Sequence, residues 1–250
     1  MAELDRMEWY DLARSTTWTP KYVEQDELFP PEMSDPHGLS QDIWDTYDEP
    51  YKTTYRDYVR VQRDKDMGVY SVRAALGRSN FISKAPEGWR SILKAHYNII
   101  AGVEFTATLY LSRCARFGRA DGMRNTGTFG TLDEIRHGQL QFSFPHEFVK
   151  KDRQWDWAVK AYHTNNWVSI AGRHFIEDVM VTRDAPSSTL TNGFCLETGF
   201  TNVQFISLAA DAAQMGDYTF SNIITSIQTD EARHAQIGGP NLQIMVENGK

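Results

Sequence analysis

The chain has 250 residues, of which 41% are hydrophobic and 12% aromatic, a composition typical of one packed globular protein and not of a disordered one. Its formal net charge of −7 excludes the basic surface by which proteins bind nucleic acid. Charges interrupt the N-terminal residues and every later apolar run, so we predict no signal peptide, no membrane contact and a cytoplasmic location.

Residues 1–85 are predicted to form an irregular N-terminal arm. Five prolines interrupt this region, and aromatic residues cluster between them, as in Trp9-Tyr10 and from Tyr47 to Tyr55. Because so many aromatic side chains are unfavourable in water, we expect the arm to pack against the rest of the protein.

Residues 86–250 show apolar residues at steps of three and four, which predicts helices. Proline and glycine residues set the predicted helix ends, with Pro145 ending the second helix and Gly239-Pro240 ending the fifth. The predicted helices run from Gly88 to Phe117, Thr126 to Phe144, His163 to Arg183, Ser188 to Gln214 and Tyr218 to about Gly238. The predicted fold class is all-α.

The pattern Asp-Glu-x-Arg-His occurs twice, at residues 133–137 and 230–234. Residues three apart lie on the same face of a helix, so the Glu and His of each copy can bind one metal ion. One Glu-x-x-His pair arises easily by chance, whereas two copies of the longer pattern do not. The two predicted pairs are Glu134 with His137 and Glu231 with His234.

Two further glutamates lie on apolar helix faces. Glu104 stands between Ile100 and Ala107, and Glu197 follows Leu196. An unpaired buried carboxylate costs several kcal/mol, and binding of a cation removes that cost. Four-helix di-iron proteins combine two Glu-x-x-His pairs with two such glutamates, so we predict a ferritin-like four-helix di-iron bundle over residues 86–250. The alternative is a set of buried ion pairs.

The other residues of the repeated pattern have a predicted supporting role. A metal-bound histidine usually donates its second ring N–H to a carboxylate, which makes Asp133 and Asp230 candidates, each serving the histidine of the other pair. Arg136 and Arg233 can balance these aspartates by bidentate pairing. Alternatively, these four residues form a solvated helix face. Mixed oxygen and nitrogen ligands favour iron or manganese over zinc.

The sequence resembles the α subunits of the soluble di-iron hydrocarbon monooxygenases, in particular the toluene and alkene (including isoprene) monooxygenase hydroxylases. The shared motifs extend from Glu8-Trp-Tyr-Asp-Leu through Phe129-Gly to Glu197-Thr-Gly-Phe-Thr-Asn and the second repeat. The resemblance implies that Thr201 is the active-site threonine, which takes part in proton delivery, and that Gln228 is also catalytic. The resemblance also implies that Asn202 is a polar residue near the metal ligands. The six implied metal ligands are Glu104, Glu134, His137, Glu197, Glu231 and His234.

The resemblance also implies a substrate pocket. Val103 replaces a glycine of the toluene enzymes, while Ile176 and Leu196 replace phenylalanines. These changes reshape the cavity and favour a small alkene as readily as an aromatic ring. The implied lining is Ile100, Val103, Ala107, Gln141, Ile176, Met180, Leu196 and Phe205.

A two-iron cofactor and several partner proteins are further implications of the resemblance. Electrons would come from NADH through a reductase and a Rieske ferredoxin, and the chain would assemble with β and γ hydroxylase subunits and a small effector protein. Dioxygen and a small hydrocarbon would be the substrates. Family α subunits are about twice as long, so we expect this chain to match their N-terminal half without the C-terminal half, and to be active only in a complex.

Three other functions remain open at this point. A ferritin-like iron store shares the ligand pattern but lacks a long aromatic N-terminal arm. A ribonucleotide reductase radical subunit needs a tyrosine about one turn after the first ligand histidine, where this chain has Gln141. A non-catalytic partner subunit would keep the helices without the ligands.

Overall fold

The computed structural model describes residues 3–14, 21–156, 163–201 and 203–250, and consists of helices joined by short connections. No β-strand occurs in these residues, which confirms the all-α fold class. Within the same residues, no helix combines the length and the apolar character needed to cross a lipid bilayer.

The helices before the ligand region are α1 (Arg6–Arg14), α2 (Gln25–Leu28), α3 (Pro31–Ser34), α4 (Gln41–Trp44), α5 (Tyr55–Arg78) and α6 (Phe81–Lys84). They are followed by α7 (Glu87–Phe117), α8 (Asp121–Val149), a 3₁₀ turn (Arg153–Trp155), α9 (Trp167–Val181) and α10 (Ala185–Leu190). Two π-helical segments (Thr191–Phe200 and Val203–Leu208) lead into α11 (Ala209–Gln214), and α12 (Tyr218–Glu247) closes the bundle.

The prediction of an irregular arm is wrong for α5, which is a helix of 24 residues. Thr54 caps its start by accepting a hydrogen bond from the backbone N–H of Asp57. Its buried face consists of Gln62, Val69 and Leu76 at seven-residue intervals. Because a glutamine holds one of these core-facing positions, the apolar spacing of the helix is hidden in the sequence. A domain boundary near residue 85 stays a prediction.

Part of the N-terminal region packs into the core as predicted. Trp44 and Tyr47 are almost completely buried, and the Tyr47 hydroxyl donates to the backbone carbonyl of Ile237 in α12 over 3.2 Å. Trp9 and Tyr55 differ from the prediction, since 45% and 73% of their surfaces are exposed. The region therefore contacts the bundle through some of its aromatic residues only.

The predicted helix ends at Pro145 and Pro240 are wrong, since both prolines lie inside helices, α8 and α12. A proline inside a helix removes one backbone hydrogen bond and crowds the preceding turn. Both helices continue because the residues beyond each proline are buried, among them Phe148 in α8 and Ile244 in α12. Tertiary packing thus outweighs the local preference for a break.

Glycines allow α7 and α8 to pack against each other closely. A Cβ atom placed on Gly127 would lie 2.5 Å from the backbone nitrogen of Ala115 and 2.8 Å from the carbonyl oxygen of Leu111. These are backbone atoms of α7, so relief would require the helices to separate. The close contact matters for the site because α7 and α8 carry three of the predicted ligands.

We expect Gly127→Ala to lower the free energy of unfolding by about 1 to 3 kcal/mol, the usual cost of overpacking a core. Gly68→Ala in α5 is the matched control, because a Cβ there has no atom within 4 Å. That substitution should raise stability by up to about 1 kcal/mol through helix propensity. Denaturant unfolding followed by circular dichroism measures both, and equal stabilities of the two variants would contradict the packing argument.

Candidate metal centre

The six predicted ligands meet in the core of the bundle. They come from α7, α8, the Thr191–Phe200 π-helical segment and α12, and none is more than 6% exposed. They are Glu104, Glu134, His137, Glu197, Glu231 and His234.

Their oxygen and nitrogen atoms form two groups, and Glu134 and Glu231 belong to both. In each group the candidate ligand atoms lie within 4.8 Å of one another. We call these groups the His137 position, which also includes Glu104, and the His234 position, which also includes Glu197.

The two shared glutamates each direct one oxygen to each position. In the His137 position, the Nδ1 atom of His137 lies 3.1 Å from Glu231 Oε1 and 3.5 Å from Glu134 Oε2. In the His234 position, the Nδ1 atom of His234 lies 3.0 Å from Glu231 Oε2 and 2.8 Å from Glu134 Oε1. Each shared glutamate would therefore offer one oxygen to a metal ion in either position.

The donor atoms fit two divalent cations. Glu134 Oε1 and His137 Nδ1 are buried without a hydrogen-bond partner, which costs about 1 to 3 kcal/mol for each such atom. His234 Nδ1 lies 2.8 Å from Glu134 Oε1 and 3.0 Å from Glu231 Oε2, so one cation bound there would be shared by these three atoms. Two divalent cations also neutralise the four negative charges of the buried glutamates, and the mixed oxygen and nitrogen ligands suit iron or manganese.

Burial changes the protonation of the cluster. It raises the pKa of Glu104 and of Glu197 well above the usual range of a carboxyl group. Burial opposes protonation of His137, but Glu231 and Glu134 outweigh it and raise the pKa of His137 well above its usual value. The cation-free cluster therefore holds protons, which bound metal ions must displace.

The second ring nitrogen of each histidine faces an aspartate of the other repeat. His137 Nε2 lies 3.3 Å from Asp230 Oδ2, and His234 Nε2 lies 3.2 Å from Asp133 Oδ2. The geometry is the crosswise one that the sequence predicted. Once a metal ion had displaced the Nδ1 proton, each ring would keep its remaining hydrogen on Nε2, facing the aspartate.

The predicted bidentate pairing of the arginines is wrong, although they do contact the aspartates. Arg233 uses a single nitrogen, Nη2, which lies 2.5 Å from Asp133 Oδ2 and 2.7 Å from Asp230 Oδ1. Arg136 divides its contacts among Asp66, Asp230 and the hydroxyl of Ser226. Both aspartates already accept other hydrogen bonds, so no carboxylate is left with two free oxygens for a guanidinium. The alternative of a solvated face is also wrong, because both aspartates are completely buried.

The two unshared glutamates each accept a hydrogen bond from a side-chain amide. Gln141 Nε2 donates to Glu104, and Gln141 Oε1 lies 2.8 Å from His96 Nε2. Burial lowers the pKa of His96 to about 4, so the ring is neutral near pH 7 and donates through Nε2. Asn192 Nδ2 donates to Glu197 Oε1 over 2.6 Å. Sequence reasoning assigned no site role to His96 or Asn192, which show no metal-ligand spacing.

Glu197 lies in a π-helical segment, where the sequence predicted an uninterrupted α-helix. The Thr198 hydroxyl donates over 2.7 Å to the Gly193 carbonyl, five residues earlier. A π-helical turn holds more residues than an α-helical one, changes which residues face inward, and often marks a functional site. Thr201 follows the segment and is buried, with its hydroxyl donating to the Glu197 carbonyl.

Gln228 is a predicted site residue that the structure does not bring into the cluster. Gln228 is exposed on α12, whereas Ile227 and Asp230 are buried, so a direct catalytic contact by Gln228 is not supported. Consecutive helical residues point about 100° apart, which directs Gln228 to solvent. Asn202 lies outside the described residues.

An apolar cavity of about 300 Å³ adjoins the helices that carry the ligands. Its walls include Val103 and Leu196, the residues that precede the two unshared glutamates, together with Ile176. The remaining walls include Ile99, Trp167, Phe175 and Phe200. Only part of the predicted pocket therefore lines this cavity. Outside it, buried or partly buried in the surrounding core, are Ile100, Ala107, Gln141, Met180 and Phe205.

Comparison with known proteins identifies relatives along almost the whole chain. The chain is 41% identical over 248 residues to the α subunit of the oxygenase component of the alkene monooxygenase system of Xanthobacter autotrophicus (strain ATCC BAA-1158 / Py2), covering 99% of this chain and 50% of that protein. It is 25% identical over 240 residues to the oxygenase component of phenol 2-monooxygenase of Pseudomonas sp. (strain CF600), covering 94% and 45%. The chain spans about half the length of the curated relatives it matches.

Solved structures share the fold. Phenol hydroxylase from Pseudomonas sp. OX1 superposes with a TM-score of 0.84 at 23% identity, over 98% of this chain and 50% of that one. Toluene 4-monooxygenase superposes with a TM-score of 0.77 at 16% identity, over 96% and 81%. The sequence profile described as methane/phenol/alkene hydroxylase matches residues 18–249. The chain therefore belongs to the methane/phenol/alkene hydroxylase family.

Proposed function

We propose that this chain is the metal-binding part of an oxygenase component that hydroxylates or epoxidises a small hydrocarbon. The observation that carries the proposal is the buried six-residue cluster beside an apolar cavity, in a chain of this family. Two iron ions held in the cluster would supply the reduction of dioxygen, with one oxygen atom entering the hydrocarbon and the other leaving as water. Two electrons from NADH, together with two protons, balance the reaction.

The protein's own residues hold and isolate the reacting groups. Glu134 and Glu231 would bind both ions. His137 with Glu104 would complete one position, and His234 with Glu197 would complete the other. The cavity offers apolar walls to a hydrocarbon. Burial of the six cluster residues keeps water away from a reactive oxidant, which protects it from quenching. A hydrocarbon has no polar group for recognition, so the shape of these walls selects the substrate.

Thr201 is proposed to move a proton within the site. Its hydroxyl lies one turn beyond Glu197 and donates to the carbonyl of that residue, which leaves the hydroxyl lone pairs free to accept a hydrogen bond. Rotation about the Cα–Cβ bond would exchange the carbonyl for another acceptor.

The proposed activity requires partner proteins. Two relatives are named as an oxygenase component or as its α subunit, which supports the presence of further components. The partners proposed from the family resemblance are β and γ hydroxylase subunits, a small effector protein, a Rieske ferredoxin and an NADH-dependent reductase. A cytoplasmic location would give this complex access to NADH. The substrate class is proposed as a small alkene or an aromatic ring, following the names of the relatives.

The other functions considered from the sequence are less well supported. Gln141 occupies the position where a radical-storing subunit needs a tyrosine, and its amide is committed to Glu104 and His96. A ferritin-like store has no use for an apolar cavity beside the cluster. A non-catalytic partner has no need for six buried ligand residues.

Glu134→Ala should lower the iron content from about two ions per chain to well below one, because Glu134 belongs to both metal positions. Iron per chain is measured by elemental analysis after expression with supplied iron. Glu177→Ala, which removes an exposed glutamate from α9, is the matched control and should keep both ions. Two tightly bound ions in Glu134→Ala would refute the proposed centre.

Leu196→Phe should reduce turnover of larger hydrocarbons about tenfold or more relative to ethene, since the added ring fills part of the cavity. Product formation is measured with isoprene, toluene and ethene in the complex reconstituted with its partners, alongside iron content. Ile170→Phe makes a comparable change on the exposed side of α9 and should leave the substrate ratios unchanged. Unchanged ratios in Leu196→Phe would show that this cavity does not hold the substrate.

A further inference from the structure

We infer that Gln62 is a positioning residue that fixes both metal positions at once, through the two buried aspartates. The inference rests on the proposed iron site and adds helix α5 to the four elements that carry the ligand residues. Gln62 is only 7% exposed, and its Nε2 lies 2.7 Å from Asp133 Oδ1 and 2.8 Å from Asp230 Oδ1.

The two contacts use both hydrogens of one amide nitrogen. An amide group has two N–H donors on nitrogen and only acceptors on oxygen. The opposite orientation would direct the oxygen of Gln62 at two carboxylates, which is repulsive. The orientation is therefore determined by the aspartates, and it leaves Gln62 Oε1 buried without a partner. A residue that served only to fill space would not need to leave a polar atom unpaired.

Gln62 contacts the carboxylate oxygens that the histidines leave free. Asp133 and Asp230 use Oδ2 for the ring nitrogens of His234 and His137, and Oδ1 for Gln62. Holding both oxygens of a carboxylate fixes its plane, and the carboxylate plane in turn fixes the ring that donates to it. Gln62 thus lies two hydrogen bonds from both histidines.

Two cationic side chains near Gln62 also contact the aspartates, but neither links the two aspartates from a different helix. Lys65, three residues after Gln62, lies 2.6 Å from Asp230 and serves that aspartate alone. Arg233 contacts both aspartates, but it lies on α12, the helix that also carries Asp230. Gln62 donates hydrogen bonds to both aspartates, Asp133 on α8 and Asp230 on α12, and it lies on neither of those helices.

The test is binding of Co(II), a spectroscopic probe, to the metal-free full-length chain. Gln62→Met keeps the length of the side chain and removes both donors, and it should weaken binding of both ions about tenfold or more. Gln139→Met replaces an exposed glutamine of α8 and should bind like the wild type. Circular dichroism of the metal-free variants checks the fold. If Gln62→Met does not fold, Gln62→Glu keeps the shape, removes the amide donors and should weaken binding by at least as much.

Double-mutant cycles with Asp133→Asn and Asp230→Asn separate positioning from a general loss of stability. We expect Gln62→Met to lose much of its effect on Co(II) affinity in either background, since each aspartate transmits part of it. Wild-type affinity in the folded Gln62 variants, or coupling to one aspartate alone, would overturn the inference. Glu134→Ala is the reference: wild-type Co(II) binding by that variant would refute the proposed metal centre itself, independently of Gln62.

Discussion

The burial of four glutamates within one helical core is the constraint on which the rest of the structure depends. Charges of one sign at such short distances are unfavourable in a medium that screens them poorly. Each surrounding feature reduces that cost. The shared glutamates face two cation positions, and the unshared ones, Glu104 and Glu197, accept hydrogen bonds from Gln141 and Asn192. The packing of the bundle therefore offsets repulsion among buried carboxylates as well as burying apolar side chains.

Charges alternate outward from the centre. Beyond the glutamates and histidines lie the two buried aspartates, and beyond those lie the cationic groups of Lys65, Arg136 and Arg233. Burial disfavours the charge on Asp230, but the hydrogen bond from His137 and the nearby cations outweigh burial and hold the pKa of Asp230 well below its usual range. Helix α5 supplies part of this outer layer, so it belongs with the site as well as with the bundle.

The sequence predicted what helical periodicity determines. Glu-x-x-His pairs must share a helix face, and a glutamate such as Glu104 stands out on an apolar stripe, so the ligands were accessible without a structure. Helix α5 was missed because a buried polar residue, Gln62, interrupts its apolar spacing. The apolar spacing predicted a helix around Glu197 but did not reveal that it is π-helical. The breaks expected at Pro145 and Pro240 are overcome by tertiary packing of the residues that follow each proline.

Sharing of Glu134 and Glu231 between the two groups would couple two metal ions bound in the proposed centre. The first ion would order both glutamates and displace protons from the cluster, so the second ion would meet ligands that are already ordered. Loss of one ion would in turn leave both shared carboxylates with an unbalanced charge beside the other ion. The two positions would therefore fill and empty together.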